Sequence, residues 1–232
     1  MAQPRVVEPA RPIVVGDFAA ASIGVLPPEW RALTFPDIKS HTLYEAVPDP
    51  AHRQVVRATA NASASGLMRK IALDAHAYPM LRWRWKADNV IANGDVTRKD
   101  GDDYAVRLYV SFAYDPARVS LLDRARYGAA RFFYGEYPPH AGLNYIWDRK
   151  SPVGTLVTNP HTDRVKMIVV ESGSARLHEW LEYERNILDD YRRAFGEEPP
   201  AISGIAIMTD ADNTRESAVA FYGNIELHPA AR

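Results

Sequence analysis

Two short acidic runs and one strand of alternating basic and aromatic residues carry the side chains that could do chemistry. Lys99-Asp100-Gly101-Asp102-Asp103 ends directly before an apolar run, where a carboxylate acquires a shifted pKa and can act as acid or base. Adjacent residues of an extended chain point to opposite faces, so Asp102 and Asp103 do not pair with each other for catalysis. One of them on the outer surface of a sheet would instead form an ion pair with Arg107. Asp210-Ala211-Asp212-Asn213-Thr214 gathers oxygen donors of the kind calcium takes, with Asp210, Asp212 and Asn213 as the ligands. It is not an EF-hand, because Arg215 replaces the turn glycine and Phe221 the bidentate glutamate. The plainer reading is an Asx-rich turn between two strands, with a structural calcium as the alternative and no other cofactor expected.

The basic residues Arg82, Arg84 and Lys86 alternate with Leu81, Trp83 and Trp85, and Arg107 sits in a second alternating run. If those two strands are neighbours, the four cations form one positive face without acidic partners, suited to a carboxylate-bearing ligand. Tyr109, Tyr134, Tyr137, Tyr145 and Trp147 are less clearly core, and flat aromatic faces beside polar groups are how proteins hold sugar rings. The candidate ligand-binding set is therefore Arg82, Arg84, Asp102, Asp103, Arg107, Tyr109, Tyr145 and Trp147. Catalytic residues are not identified. A nucleophile elbow, a P-loop and a dinucleotide-binding glycine motif are absent from the sequence. His178-Glu179-Trp180-Leu181-Glu182 has a glutamate where a zinc protease needs its second histidine.

The elements that must position these residues are short strands. Runs rich in β-branched and aromatic residues recur at 13–18, 30–36, 41–47, 53–63, 67–74, 80–87, 104–113, 143–147, 164–171, 181–187, 202–208 and 217–227. Turn residues separate them, which predicts an all-β sandwich or barrel rather than alternating β-α units. In 104–112, Tyr104, Val106, Leu108, Val110 and Phe112 form the apolar face. Helices are predicted at 119–130 and, with Asp189 and Asp190 in its first turn and Gly196 as a stop, at 188–195. Residues 1–12, with Pro4, Pro9 and Pro12, read as an extended arm, and 13–232 as one domain. The stretch from Tyr127 to Trp147 is irregular and aromatic, and such loops on a β scaffold commonly carry function.

The chain has 232 residues, 28 Lys plus Arg against 29 Asp plus Glu, and no cysteine. Charge balance argues against nucleic-acid binding driven by counterion release. Absence of cysteine excludes disulfides, cysteine-based zinc sites and thiol catalysis. Apolar runs such as Met167–Val170 fall far short of the roughly 18 residues a membrane helix needs, so no transmembrane segment is expected.

Several strings, taken together, resemble an uncharacterised bacterial family, domain-of-unknown-function family 3047. They are Leu81–Lys86, Lys99–Val110, Ala64–Leu67, Leu143–Trp147, Asp189–Gly196 and Ile207–Thr214, and the likeness extends from Val15 to Leu227. Members typically carry signal peptides, so the resemblance implies a periplasmic or secreted protein, with Met1-Ala2-Gln3-Pro4 near a mature N-terminus. No activity or catalytic residue comes with it. The last third also resembles galactose-binding-like jelly rolls, through Ile202-Ser203-Gly204-Ile205-Ala206-Ile207 and the ending Asn224-Ile225. The expectation is a jelly-roll-like β-sandwich with one or two short helices, binding a glycan or another polar ligand, anionic ones included, outside the cell. A polysaccharide hydrolase or lyase using two of Asp102, Asp103, Glu171, Glu179 and Asp210 is the alternative, as is a non-catalytic envelope interaction module.

Overall fold

A computed structural model describes residues 11–115 and 139–230. Strands appear in the order β1 (Ile13–Gly16), β2 (Trp30–Leu33), β3 (Leu43–Asp49), β4 (Arg53–Asn61), β5 (Ala64–Leu73) and β6 (Met80–Ala87). They continue as β7 (Arg107–Phe112), β8 (Ala141–Asp148), β9 (Leu156–Thr158) and β10 (Val165–Ser172). β11 (Leu181–Asn186), β12 (Ile202–Asp210) and β13 (Ser217–His228) complete the set among the described residues. One sheet has the order β11-β6-β13-β4-β3, with β1 also on β13, and the other runs β2-β5-β12-β7-β8-β10-β9. All pairs are antiparallel except β8 with β10. This is a jelly-roll-like β-sandwich, as the turn-punctuated strand pattern predicts.

The core lies between the sheets. Leu81, Trp83, Trp85 and Ala87 face inward from β6, and Leu108, Val110 and Phe112 from β7. Each large side chain buried in this way contributes on the order of 2–3 kcal/mol. Trp83 stacks on Tyr145 and Tyr183, at ring separations of 5.1 and 5.3 Å. A second apolar cluster, Val96, Tyr104, Ile146, Met167 and Val169, sits on the other face of the seven-stranded sheet.

A helix, α1 (Ile187–Phe195), follows β11 directly. Asn186 caps it by accepting from the amides of Leu188 and Asp189, and Gly196 ends it at φ 73°, where only glycine is unstrained. The helix expected at 119–130, with Tyr134 and Tyr137, lies outside the described residues.

Four expectations change. The strand expected from 104 begins at Arg107, because Tyr104 leaves the ladder and donates its amide to the Asp210 side chain at 3.2 Å. Tyr104 therefore packs in the outer cluster, while Ala105 and Val106 join the core. β6 and β7 are not neighbours: they belong to different sheets, so Arg107 shares no face with Arg82, Arg84 and Lys86. Those cations also have partners, described below, because facing strands supply glutamates that the sequence separates by about a hundred residues. Tyr145 and Trp147 lie on the strand expected at 143–147, here β8, but point into the core rather than toward a ligand.

Candidate functional site

The residues that converge lie on the outer face of the seven-stranded sheet. There Arg107 on β7 has Met208 of β12 on one side and Ile146 of β8 on the other. One step along, the row reads Arg31, Met68, Ala206, Tyr109, Asn144, Met167 and Val157 across successive strands. Arg31 is exposed, Met68 and Tyr109 are half-buried, and Asn144 is closed to water.

Arg107 is buried at 2% exposure, and its guanidinium is fully engaged. It grips Asp210 in a fork, with Nε 2.8 Å from Oδ1 and Nη2 on Oδ2. Its Nη1 reaches Asp102 Oδ1 and the Tyr109 hydroxyl, each at 3.2 Å, and Nη2 also donates to the Asp102 carbonyl. The Tyr104 ring lies 4.4 Å beneath. Burial works against the guanidinium charge, but Asp210, Tyr109 and Asp102 hold its pKa above the ordinary arginine value. Burial pushes the Asp210 carboxyl up, against the opposing pull of Arg107. It also pushes the Tyr109 phenol up to about 12, so the hydroxyl keeps its proton.

The two acidic runs meet here because β12 pairs with β7 and the loop before β7 folds back onto the β12 end. Gly101 permits that fold: a Cβ would sit 2.8 Å from the Asp95 amide nitrogen. Asp102 Oδ2 accepts from Asn159 Nδ2 at 2.9 Å, with half-exposed His161 at 3.7 Å. Asp103 clamps the turn after β12. Its Oδ1 accepts from the Asn213 backbone at 3.3 Å and Nδ2 at 3.0 Å, and its Oδ2 from Thr214 N and Oγ1 at 2.6 and 2.7 Å.

Asp103, Asp210 and Asp212 each offer an oxygen within a 4.8 Å span, so their spacing suits a cation. Their chemistry suits one less well. The Arg107 guanidinium already neutralises Asp210, and both Asp103 oxygens hold the turn. Asp212 is half-buried, and burial, then the neighbouring Asp103 carboxylate, raise its pKa.

The remaining sequence candidates lie elsewhere. On the outer face of the six-stranded sheet Arg82 pairs with Glu184, and Arg84 with Glu182 at 3.5 Å. With Asn224 and Glu226 they line a shallow groove of about 330 Å³. Lys86 lies over Phe221 at 4.2 Å and Trp180 at 5.3 Å. Tyr145 donates to the buried Asp190 at 2.8 Å, and Trp147 Nε1 to the Gly173 carbonyl at 2.8 Å. Glu171 is held by Arg176 and Tyr183, and Glu179 by Arg176.

Sequence reasoning missed Asn144, Asn159 and His161. Asn144 had a signal, as the one amide inside the apolar run Leu143-Asn144-Tyr145-Ile146-Trp147. Asn159 and His161 had none, since they arrive from the turn between β9 and β10.

The family model described as protein of unknown function (DUF3047) matches residues 28–226. The chain belongs to that family. No curated protein sequence matches it. Among solved structures it is similar to the family 11 carbohydrate-binding module of a Clostridium thermocellum cellulosomal cellulase. That match has 11% identity, a TM-score of 0.48 and coverage of 96% of each chain. It is also similar to a family 30 carbohydrate-binding module from the same organism, at 7% identity, a TM-score of 0.44 and coverage of 96% of this chain and 100% of that one. The K1 adhesin domain of Lys-gingipain from Porphyromonas gingivalis W83 is similar at 10% identity and a TM-score of 0.41, with 96% and 100% covered. Likeness at these values says nothing of ligand or activity. Among the described residues no helix is long and apolar enough to cross a membrane.

Proposed function

We propose that this protein is a non-catalytic module that binds a glycan on the outer face of the seven-stranded sheet, at Tyr109. The observation that carries the reading is the Tyr109 hydroxyl. It accepts from Arg107, keeps its own proton, and finds no acceptor for that proton among the described residues. A half-buried ring with one donor to spare, fixed by a guanidinium that is itself locked by Asp210 and Asp102, is a preorganised contact for a sugar hydroxyl. His161 and Asn159 border the same network from the β9–β10 turn and supply further polar contacts.

The carboxylates favour binding over hydrolysis. Asp102, Asp103 and Asp210 converge, but every one of their oxygens already accepts a hydrogen bond. A glycosidase needs one carboxyl group free to give a proton and another free to act on water or the sugar carbon. Action in the periplasm or outside the cell is part of this reading, and the absence of cysteine is compatible with it. Calorimetry against a panel of soluble polysaccharides tests the reading. Binding that Tyr109→Ala abolishes supports it; silence across the panel, or binding indifferent to Tyr109→Ala, refutes it. Release of reducing ends would return the hydrolase.

A further inference from the structure

Sheet order places Trp180 and Asp49 at opposite sides of the six-stranded sheet. Trp180 directly precedes β11 and Asp49 ends β3, and β11 and β3 close the two ends of the order β11-β6-β13-β4-β3. Yet Trp180 Nε1 donates to Asp49 Oδ2 at 3.1 Å, and the His52 ring meets the Trp180 ring edge-on at 4.6 Å. Asp49 Oδ1 accepts from the amides of Ala51 and His52, each at 3.0 Å, and lies 3.0 Å from His52 Nδ1. One carboxylate thus holds the tip of the β3–β4 hairpin and an indole from the loop at 173–180. On the outer face, Lys86 of β6 reaches toward the same indole, with its Nζ 5.3 Å from the Trp180 ring and 4.2 Å from that of Phe221 on β13.

Both halves of this contact carry backbone strain. Arg53, directly after His52, has φ 62°, and His178, two residues before Trp180, has φ 67°. Residues with a side chain persist in that left-handed region where their surroundings hold them, and such outliers gather at clamps and switches. The residues at 49–53 and 173–180 are mostly exposed, and segments with few buried apolar contacts open locally while the rest of a fold stays closed. A single charge-assisted hydrogen bond and one ring contact join the two segments.

We infer that Asp49, His52 and Trp180 form a releasable clasp, which gives the outer face of the six-stranded sheet a closed and an open state. Closed, Lys86 lies between two aromatic rings. Open, it keeps Phe221 alone. Arg84 and Lys86 are successive outward residues of β6, so release of Trp180 extends the groove lined by Arg82, Arg84, Glu182 and Asn224 along that strand. The clasp lies on the sheet opposite Tyr109 and stands apart from the glycan reading.

Residue-resolved hydrogen exchange at pH 7 tests it, with each variant read in the segment it does not touch. Trp180→Phe removes the indole N–H and is expected to speed exchange about tenfold or more at Ala51, His52 and Gln54 in the hairpin. Asp49→Ala is expected to speed it to a similar degree at Leu177, His178 and Glu179 in the loop. Amides of β5 and β12 should exchange as in the wild type. Exchange that rises in the substituted segment alone would show that the two segments open independently and would overturn the clasp. Faster exchange throughout β5 and β12, with a lower melting temperature, would make the contact part of the global fold and overturn it as well.

Discussion

Replacing Asn144 with leucine should make the free protein more stable, the reverse of what removing a buried hydrogen-bonding residue ordinarily does. Asn144 is fully buried and neither its Oδ1 nor its Nδ2 has a hydrogen-bond partner among the described residues; leucine has the same branched skeleton, so the exchange swaps these two polar atoms for methyl groups beside Met167. Leaving a buried polar group unsatisfied costs roughly 1–3 kcal/mol, and the apolar replacement removes that cost. Some of the gain is lost to the larger methyl groups in a packed site, where overpacking costs about 1 kcal/mol or more. A net gain of up to about 2 kcal/mol remains. In a domain of this size that raises the melting temperature by up to roughly 8 °C. Differential scanning calorimetry and urea unfolding at pH 7, with an unchanged urea slope, measure it. A melting temperature more than about 2 °C below wild type would show that the amide is bonded in the free protein, and the reasoning from its orphaned atoms would be wrong.

Arg107→Met should cost about 3–5 kcal/mol, because Asp210 and Asp102 would stay buried without their counter-ion. Urea unfolding measures this, and adding Asp210→Leu to the same chain should recover part of the loss. Asp95 has its pKa held down to about 2, first by the hydroxyl and amide of Thr97 and then by Lys150. Its folded pKa is below its unfolded one, so the unfolded state binds more protons and the stabilisation is lost as pH falls from about 4 to 2. Asp95→Asn should flatten that acid slope in unfolding experiments. Millimolar calcium should leave the melting temperature unchanged within about 1 °C, because Asp210 is committed to Arg107 and Asp103 to the turn. A rise of several degrees that chelation reverses would assign Asp103, Asp210 and Asp212 to a metal.

Patterns carried within one segment were legible in the sequence. The inward Leu81, Trp83 and Trp85 and the outward Arg82, Arg84 and Lys86 follow from the two-residue period of a strand, whatever lies beside it. The same holds for α1, whose cap Asn186, acidic first turn and Gly196 stop are all local. Pairing is not local. Nothing within 80–87 or 104–113 says that these runs belong to different sheets, or that Glu182 and Glu184 stand opposite the arginines. The run 143–147 reads as a strand, but with no polar alternation it does not say which of its side chains face the core, and it lacks alternation because both faces of β8 are covered.

The two acidic runs show the same division. Their residue types determined that Asp102, Asp103, Asp210, Asp212 and Asn213 would make turns, ion pairs or ligands. Only the β12–β7 pairing decided that Asp102 and Asp210 meet on one guanidinium while Asp103 holds the turn of Asn213 and Thr214, and that Asn144 stands beside Tyr109 with no hydrogen-bond partner among the described residues. Turn and strand preferences act over a few residues, whereas the surroundings of a buried charge or amide are set by strands up to a hundred residues apart.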